Sequence, residues 1–270
     1  MTLKEALLQG QRLLEQAGVT EPRLTAEVLL AHATQHDRVW LIAHSDEELI
    51  ELWWIHYGRY LHQRIEGKPT QYITGHQEFY GRDFRVTPDV LIPRPETEHL
   101  IEAALKVNAR HILDVGTGSG CIAITLALET GARVTATDIS ATAVNVARQN
   151  ATKLGAQVEF LICDLVPEGR TFDLIVSNPP YIPRTDKATL QHEVRDHEPE
   201  LALYGGEDGL EVYRRLIPEA ARVLKPGGWL IMEIGWNQGG ALSAMLASWN
   251  EVRIQQDLAG LPRIVIARKP

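Results

Sequence analysis

Apolar positions in the first quarter of the chain recur with helical spacing. Leu3, Leu7, Leu14 and Ala17 fall on one stripe of a helix that ends near Gly18, and a second apolar run covers Leu24 to Ala33. Ser45 to Glu48 reads as a capping box that opens a long helix through Leu49, Leu52, Trp53, Tyr57, Tyr60 and Leu61, closed by Gly67 and Pro69. Strand-like alternation is absent here, so residues 1–75 are predicted to form a helical bundle.

Between about Gln71 and Glu98 the texture changes to aromatic and β-branched residues around Gly75 and Gly81, then to Pro88, Pro93 and Pro95. That predicts a β-hairpin and a stiff linker over 76–95. From Arg110 onward, strand-like and helix-like runs alternate. Ile112 to Val115, Val134 to Asp138, Val158 to Cys163 and Phe172 to Ser177 read as strands, with helices ending near Glu129 and Leu154 between them. Such alternation builds βαβ units and a parallel sheet, an α/β fold. A helix from Leu210 to Leu224, a strand from Trp229 to Ile234, and a terminal antiparallel hairpin of Val252 to Leu258 with Arg263 to Ala267 complete the chain.

Composition narrows the function classes. Of the 270 residues, 44% are hydrophobic and 23% charged, which suits a folded globular protein and excludes a disordered or collagen-like one. Twenty-seven Lys and Arg against 35 Asp and Glu leave a charge of −8, the wrong sign for a chain that lives on a phosphate backbone. Cys121 and Cys163 form no CxxC pair and both read as buried, and the ten histidines include no HExxH, so neither a disulfide framework nor a metal site is expected. No run of about 18 apolar residues and no signal peptide is read, and a reducing cytoplasm fits the cysteine usage.

The chemistry concentrates at two strand ends. Asp114-Val115-Gly116-Thr117-Gly118-Ser119-Gly120 stands where the first parallel strand meets its helix, the ligand-binding edge of open α/β sheets. A dinucleotide fingerprint would place glycine at 121, where this chain has Cys121, so a pyrophosphate cradle is disfavoured. Asp138 closes the second strand, positioned to accept the ribose hydroxyls of a nucleoside, while Asp114 supports the glycine loop from behind.

Asn178-Pro179-Pro180-Tyr181 directly follows the fourth strand. A plain turn needs neither the Asn nor the Tyr, and the prolines freeze a backbone whose carbonyls neighbouring N–H groups cannot match. The Asn178 side-chain oxygen and the Pro179 carbonyl thus suit the two N–H protons of a planar amino or amide group, with Tyr181 against its flat face. Lys225-Pro226-Gly227-Gly228 reads as a turn.

These residues together resemble the HemK-type (PrmC) glutamine methyltransferases that modify peptide chain release factors. The resemblance is carried by EGKPTQYITGHQEFYG and IPRPETE within residues 66–98, DVGTGSG, Asp138, SNPPYIP, and EVRDHEPELALYGGEDGL over 193–210. It implies a class I S-adenosylmethionine-dependent methyltransferase fold, a Rossmann-like seven-stranded sheet over 96–270 behind the helical domain. It also implies S-adenosyl-L-methionine as cofactor and transfer to the side-chain nitrogen of the glutamine in a release factor's Gly-Gly-Gln tip. By the same resemblance Gly116, Thr117, Gly118, Ser119 and Gly120 hold the cofactor's methionine part and Asp138 its ribose. Asp164 and Leu165 lie beside the adenine, where an aromatic residue is usual in the family and this chain has leucine. Asn178, Pro179, Pro180 and Tyr181 hold the glutamine, Asn178 also bordering the cofactor, and Pro93 to Glu98 approaches the pocket. The helical domain docks the protein substrate, and the enzyme is expected to act as a monomer.

Four other readings compete. An adenine-N6 nucleic-acid methyltransferase offers the same planar NH₂, but Tyr181 to Glu211 carries eight acids against three basic residues, a field that repels nucleic acid. A glutamine methylase acting on a ribosomal protein is a nearer relative. A nicotinamide-dinucleotide binder lacks its third glycine, and a silent cofactor-binding scaffold would have no need of Asn178.

Overall fold

The computed structural model describes residues 1–270, which divide into two compact units: Met1–Gly75 with Gln191–His197, and His76–Leu190 with Glu198–Pro270.

The first unit is helical. Helix α1 (Leu3–Gln16) opens on a true capping box, in which Thr2 Oγ1 accepts from the Glu5 N–H and the Glu5 carboxylate accepts from the Thr2 N–H. It packs with α2 (Pro22–Thr34) and α4 (Glu51–Ile65) around Leu3, Leu14, Leu29, Leu30, Tyr57 and Leu61. Between them lies α3 (Arg38–Ala43), capped by Asp37, a helix too short for its apolar period to stand out in sequence. The Ser45–Glu48 box is not a helix start. Helix α4 begins at Glu51 behind an uncapped Ile50, and Glu48 instead makes a bridge with Thr2. A further short helix, α5 (Thr70–Thr74), follows Pro69. In the same unit, Glu193 of α9 (His192–His197) pairs with the buried Arg64 at 2.6 Å.

The second unit begins with the hairpin β1 (His76–Phe79) and β2 (Arg82–Arg85), turned through Tyr80 and Gly81, both at positive φ as a two-residue hairpin loop requires. Phe79 and Phe84 insert into the core, and buried Asn150 bonds the Arg85 backbone through both ends of its amide. After α6 (Glu98–Leu105) come β3 (His111–Val115), α7 (Cys121–Thr130), β4 (Arg133–Asp138), α8 (Ala141–Leu154), β5 (Val158–Ile162) and β6 (Phe172–Ser177). The chain continues through α10 (Glu200–Leu203), α11 (Glu211–Val223), β7 (Leu224–Glu233), α12 (Gly239–Met245), β8 (Asn250–Gln256) and β9 (Pro262–Arg268). Lys225–Gly228, expected as a turn, is drawn into β7, where a register irregularity against Phe172 accommodates it.

The seven strands stand in the order β5-β4-β3-β6-β7-β9-β8, parallel except where β9 runs against β7 and β8. Alternate residues face opposite layers: Leu174, Val176 and Ile231 share the core with α6, α7 and α8, while Ile175, Leu230 and Met232 share the other with α11 and α12. No helix is long and apolar enough to cross a membrane.

Candidate active site

From β3 the chain runs outward through β4 and β5 on one side, and from β6 it runs outward through β7 on the other, so the crevice between the carboxyl ends of β3 and β6 is a topological switch point. Val115 and Ser177 are register partners there, and Ser177 Oγ donates to the Val115 carbonyl at 2.7 Å. The glycine turn and the Asn-Pro-Pro-Tyr segment therefore leave the sheet side by side. A cavity of about 350 Å³ opens between them.

Gly116, Thr117, Gly118 and Ser119 form one wall. Gly116 and Gly118 lie at φ 75° and 54°, and a Cβ on either would project into open space, so the absent side chains leave room for a ligand. Gly120 does not line the cavity. A Cβ there would sit 2.9 Å from Ile124 Cδ1 and 3.0 Å from Ala147 Cβ, so this glycine serves helix packing.

Asp138, at the end of β4, accepts from the Gly118 N–H at 2.8 Å and the Ser140 N–H at 2.9 Å, one on each oxygen, which fixes its carboxylate at the cavity edge. Burial raises its pKa, and those two backbone bonds pull against the rise. Asp114, fully buried under the turn, accepts from Thr117 Oγ1 at 2.6 Å; burial pushes its carboxyl up to about 7.

At the β5 end, Cys163, Asp164 and Leu165 line the cavity with Ile139. Leu165 holds a left-handed backbone, φ 64°, and its carbonyl accepts from Thr137 Oγ1 at 2.7 Å. That conformation is uncommon for a residue other than glycine, and the bond from Thr137 helps to hold it. Asp164 pairs with Arg215 at 2.5 Å, and Cys163 is half-buried rather than buried.

Asn178, Pro179 and Pro180 line the opposite side with Pro93, Arg94 and Thr97. Asn178 Nδ2 donates to Thr97 Oγ1 at 3.1 Å, and neither its Oδ1 nor the Pro179 carbonyl accepts a hydrogen bond within the protein. Tyr181 lies off the cavity wall: its hydroxyl donates to Glu233 at 3.3 Å, and its carbonyl accepts from Gln238 Nε2 at 2.9 Å. The 203–209 stretch braces this backbone. Gly205 N–H donates to the Ile182 carbonyl at 3.0 Å, and a Cβ on Gly209 would stand 2.3 Å from the Tyr181 carbonyl.

Sequence reasoning missed Glu233. Its signal is a lone carboxylate closing the apolar run Trp229-Leu230-Ile231-Met232, at the same sheet edge as Asn178. No cluster of three or more metal-binding side chains occurs.

A parallel sheet closed by an antiparallel pair, with a glycine turn, a strand-end acid and a proline-held asparagine around one crevice, defines a class I S-adenosylmethionine-dependent methyltransferase. Residues 5–75 match the PrmC N-terminal domain and residues 95–200 the methyltransferase small domain; the release factor glutamine methyltransferases of Koribacter versatilis and Bacillus subtilis are 48% and 42% identical over 100% and 98% of this chain and 99% and 97% of theirs. The chain belongs to the release factor glutamine methyltransferase family. Among solved structures, a methyltransferase from Pyrococcus furiosus is similar with a TM-score of 0.56 at 20% identity, covering 71% of this chain and 90% of that one. A ribosomal protein L11 methylase from Lactobacillus delbrueckii subsp. bulgaricus gives 0.50 at 27% identity, covering 72% and 90%.

Proposed function

We propose that this enzyme transfers a methyl group from S-adenosyl-L-methionine to the side-chain amide nitrogen, N5, of the glutamine in the Gly-Gly-Gln motif of a peptide chain release factor. The observation that carries the reading is that Asn178 Oδ1 and the Pro179 carbonyl, on adjacent residues that line a cavity, accept no hydrogen bond within the protein, in a member of this family.

The cavity fits the cofactor in size and in the kind of groups it offers. Gly116, Thr117, Gly118 and Ser119 would hold its methionine end, Asp138, whose two backbone bonds leave lone pairs over, would take the ribose hydroxyls, and Ile139, Asp164 and Leu165 would border the adenine. When bound, the cofactor supplies an electrophilic methyl on a sulfonium.

The protein's task is to make an amide nitrogen reactive. That nitrogen is a poor nucleophile because its lone pair is delocalised into the carbonyl. Two acceptors on its N–H bonds hold the planar group and strengthen as positive charge develops on nitrogen, so they favour the transition state over the ground state. Holding the nitrogen in line with the methyl makes a bimolecular step effectively unimolecular, worth up to about 7–11 kcal/mol. Pro179 and Pro180 keep the frame rigid, and Tyr181, tied to Glu233, anchors its far end.

In this reading residues 1–75 dock the protein substrate, residues 76–95 link to the catalytic domain at 96–270, and the enzyme works as a cytoplasmic monomer. The acidic 181–211 stretch turns nucleic acid away. The test is mass spectrometry of purified release factor after incubation with enzyme and methyl-labelled cofactor: the label belongs on the glutamine, and label on another residue or on nucleic acid refutes the reading. Asn178→Ala should lower the single-turnover rate by roughly 10²–10³-fold, about 3–4 kcal/mol for one acceptor at developing charge. S-adenosylhomocysteine affinity should change far less, and an unchanged rate would remove the clamp.

A further inference from the structure

The clamp works only if Asn178 turns its oxygen, not its nitrogen, toward the substrate. The two ends of a carboxamide are nearly equal in size, and a flipped amide would set an NH₂ against an NH₂. Sterics therefore cannot select the working orientation.

The hydrogen-bond directions around Asn178 can. Asn178 Nδ2 donates to Thr97 Oγ1 at 3.1 Å, and the Thr97 hydroxyl donates its single proton to Glu233 Oε2 at 2.7 Å. An ionised carboxylate only accepts, so the Thr97 oxygen has only lone pairs left for Asn178. Thr97 and Glu233 are 3% and 2% exposed, which denies water the chance to substitute for either. Glu233 Oε1 meanwhile takes the Tyr181 proton at 3.3 Å. Register places the carboxylate correctly: Ser177 pairs with Met232, so Asn178 and Glu233 are the next residues along adjacent strands.

We propose that Glu233 and Thr97 are positioning residues that set the polarity of the Asn178 amide, aiming its oxygen at the substrate nitrogen. The proposal rests on the reading that Asn178 holds the substrate amide. Protonated Glu233 would become a donor, free the Thr97 proton for Asn178 Oδ1 and release the flip. Around this carboxyl stand Thr97 and Glu96 from the turn before α6, Tyr181, Arg263 of β9, Cys121 of α7 and Tyr213 of α11, whose hydroxyl bonds the Glu233 backbone carbonyl. Burial raises the carboxyl pKa and Arg263 opposes the rise, so catalysis should fall on the acid side at a pH above the ordinary glutamate value of about 4.3.

The test compares wild type, Thr97→Val, Thr97→Ser and Glu233→Gln in the full chain, using release factor, labelled cofactor and single-turnover rates from pH 5 to 8. Thr97→Val and Glu233→Gln should slow transfer about 10- to 100-fold, as loss of a supporting partner does elsewhere, with S-adenosylhomocysteine affinity within about twofold. Thr97→Ser should keep the rate within about threefold, since it restores the hydroxyl. The acid limb of the wild-type profile should be lost in Thr97→Val. Wild-type speed in Thr97→Val, equal damage in Thr97→Ser, or an unmoved acid limb would each overturn the relay. Should Glu233→Gln fail to fold, the Thr97 pair decides. Wild-type labelling of the glutamine tests the underlying reading separately.

Discussion

Replacing Asp114 by asparagine probes the most deeply buried ionisable group of the site. The carboxyl lies under the glycine turn with its proton held up to about 7, chiefly by burial. In the unfolded chain an aspartate titrates near 3.9. Between those values the folded state keeps a proton that the unfolded state has released, so stability falls as pH rises, by about 1.4 kcal/mol per unit. From pH 5 to 7 this amounts to about 2 kcal/mol, since the slope halves at the folded value, and above it the loss levels off. Asparagine does not ionise and still offers an oxygen to Thr117 Oγ1, which bonds Asp114 at 2.6 Å. Asp114→Asn should therefore gain about 3 kcal/mol on the wild type between pH 5 and pH 8, whatever their difference at pH 5. Amide hydrogen exchange of the β3 and β6 backbone, corrected for its intrinsic pH dependence, reports that stability locally. A wild-type-to-variant difference that stays constant across the range would refute the burial argument.

Two other substitutions separate binding from support. Asp138→Ala should weaken S-adenosylhomocysteine binding by about 1.5–3 kcal/mol in calorimetry, the value of hydrogen bonds to a charged group; equal affinity would move the ribose contact elsewhere. Gly209→Ala forces a side chain into a left-handed position, φ 74°, and against the Tyr181 carbonyl. It should cost roughly 1–3 kcal/mol of stability in thermal unfolding and slow methyl transfer, and a neutral substitution would show that the 203–209 brace does not hold the clamp.

Helix and strand identities were legible wherever a period ran long enough. The α1 stripe, the apolar strand runs from β3 onward and the terminal hairpin follow from apolar patterning, because a helix with one buried face leaves a periodic stripe and a central parallel strand buried on both faces leaves a continuous apolar run. Short elements leave none, which is why α3 and α5 escape notice and why Ser45-x-x-Glu48 mimics a helix start that Thr2 and Glu5 actually make.

The local chemistry of the site was likewise written along the chain. A glycine turn, a strand-end acid and a proline-held asparagine announce themselves because each needs particular residue types in consecutive positions. Only the tertiary structure could separate Gly120, which packs on Ala147, from Gly116 and Gly118, which face the cavity. Only it could join Thr97, Asn178 and Glu233, residues 81 and 136 positions apart along the chain, into one line of hydrogen bonds. Sequence spacing records which face an element buries; which carboxylate meets which amide depends on strand order and register, and these exist only once the sheet is assembled.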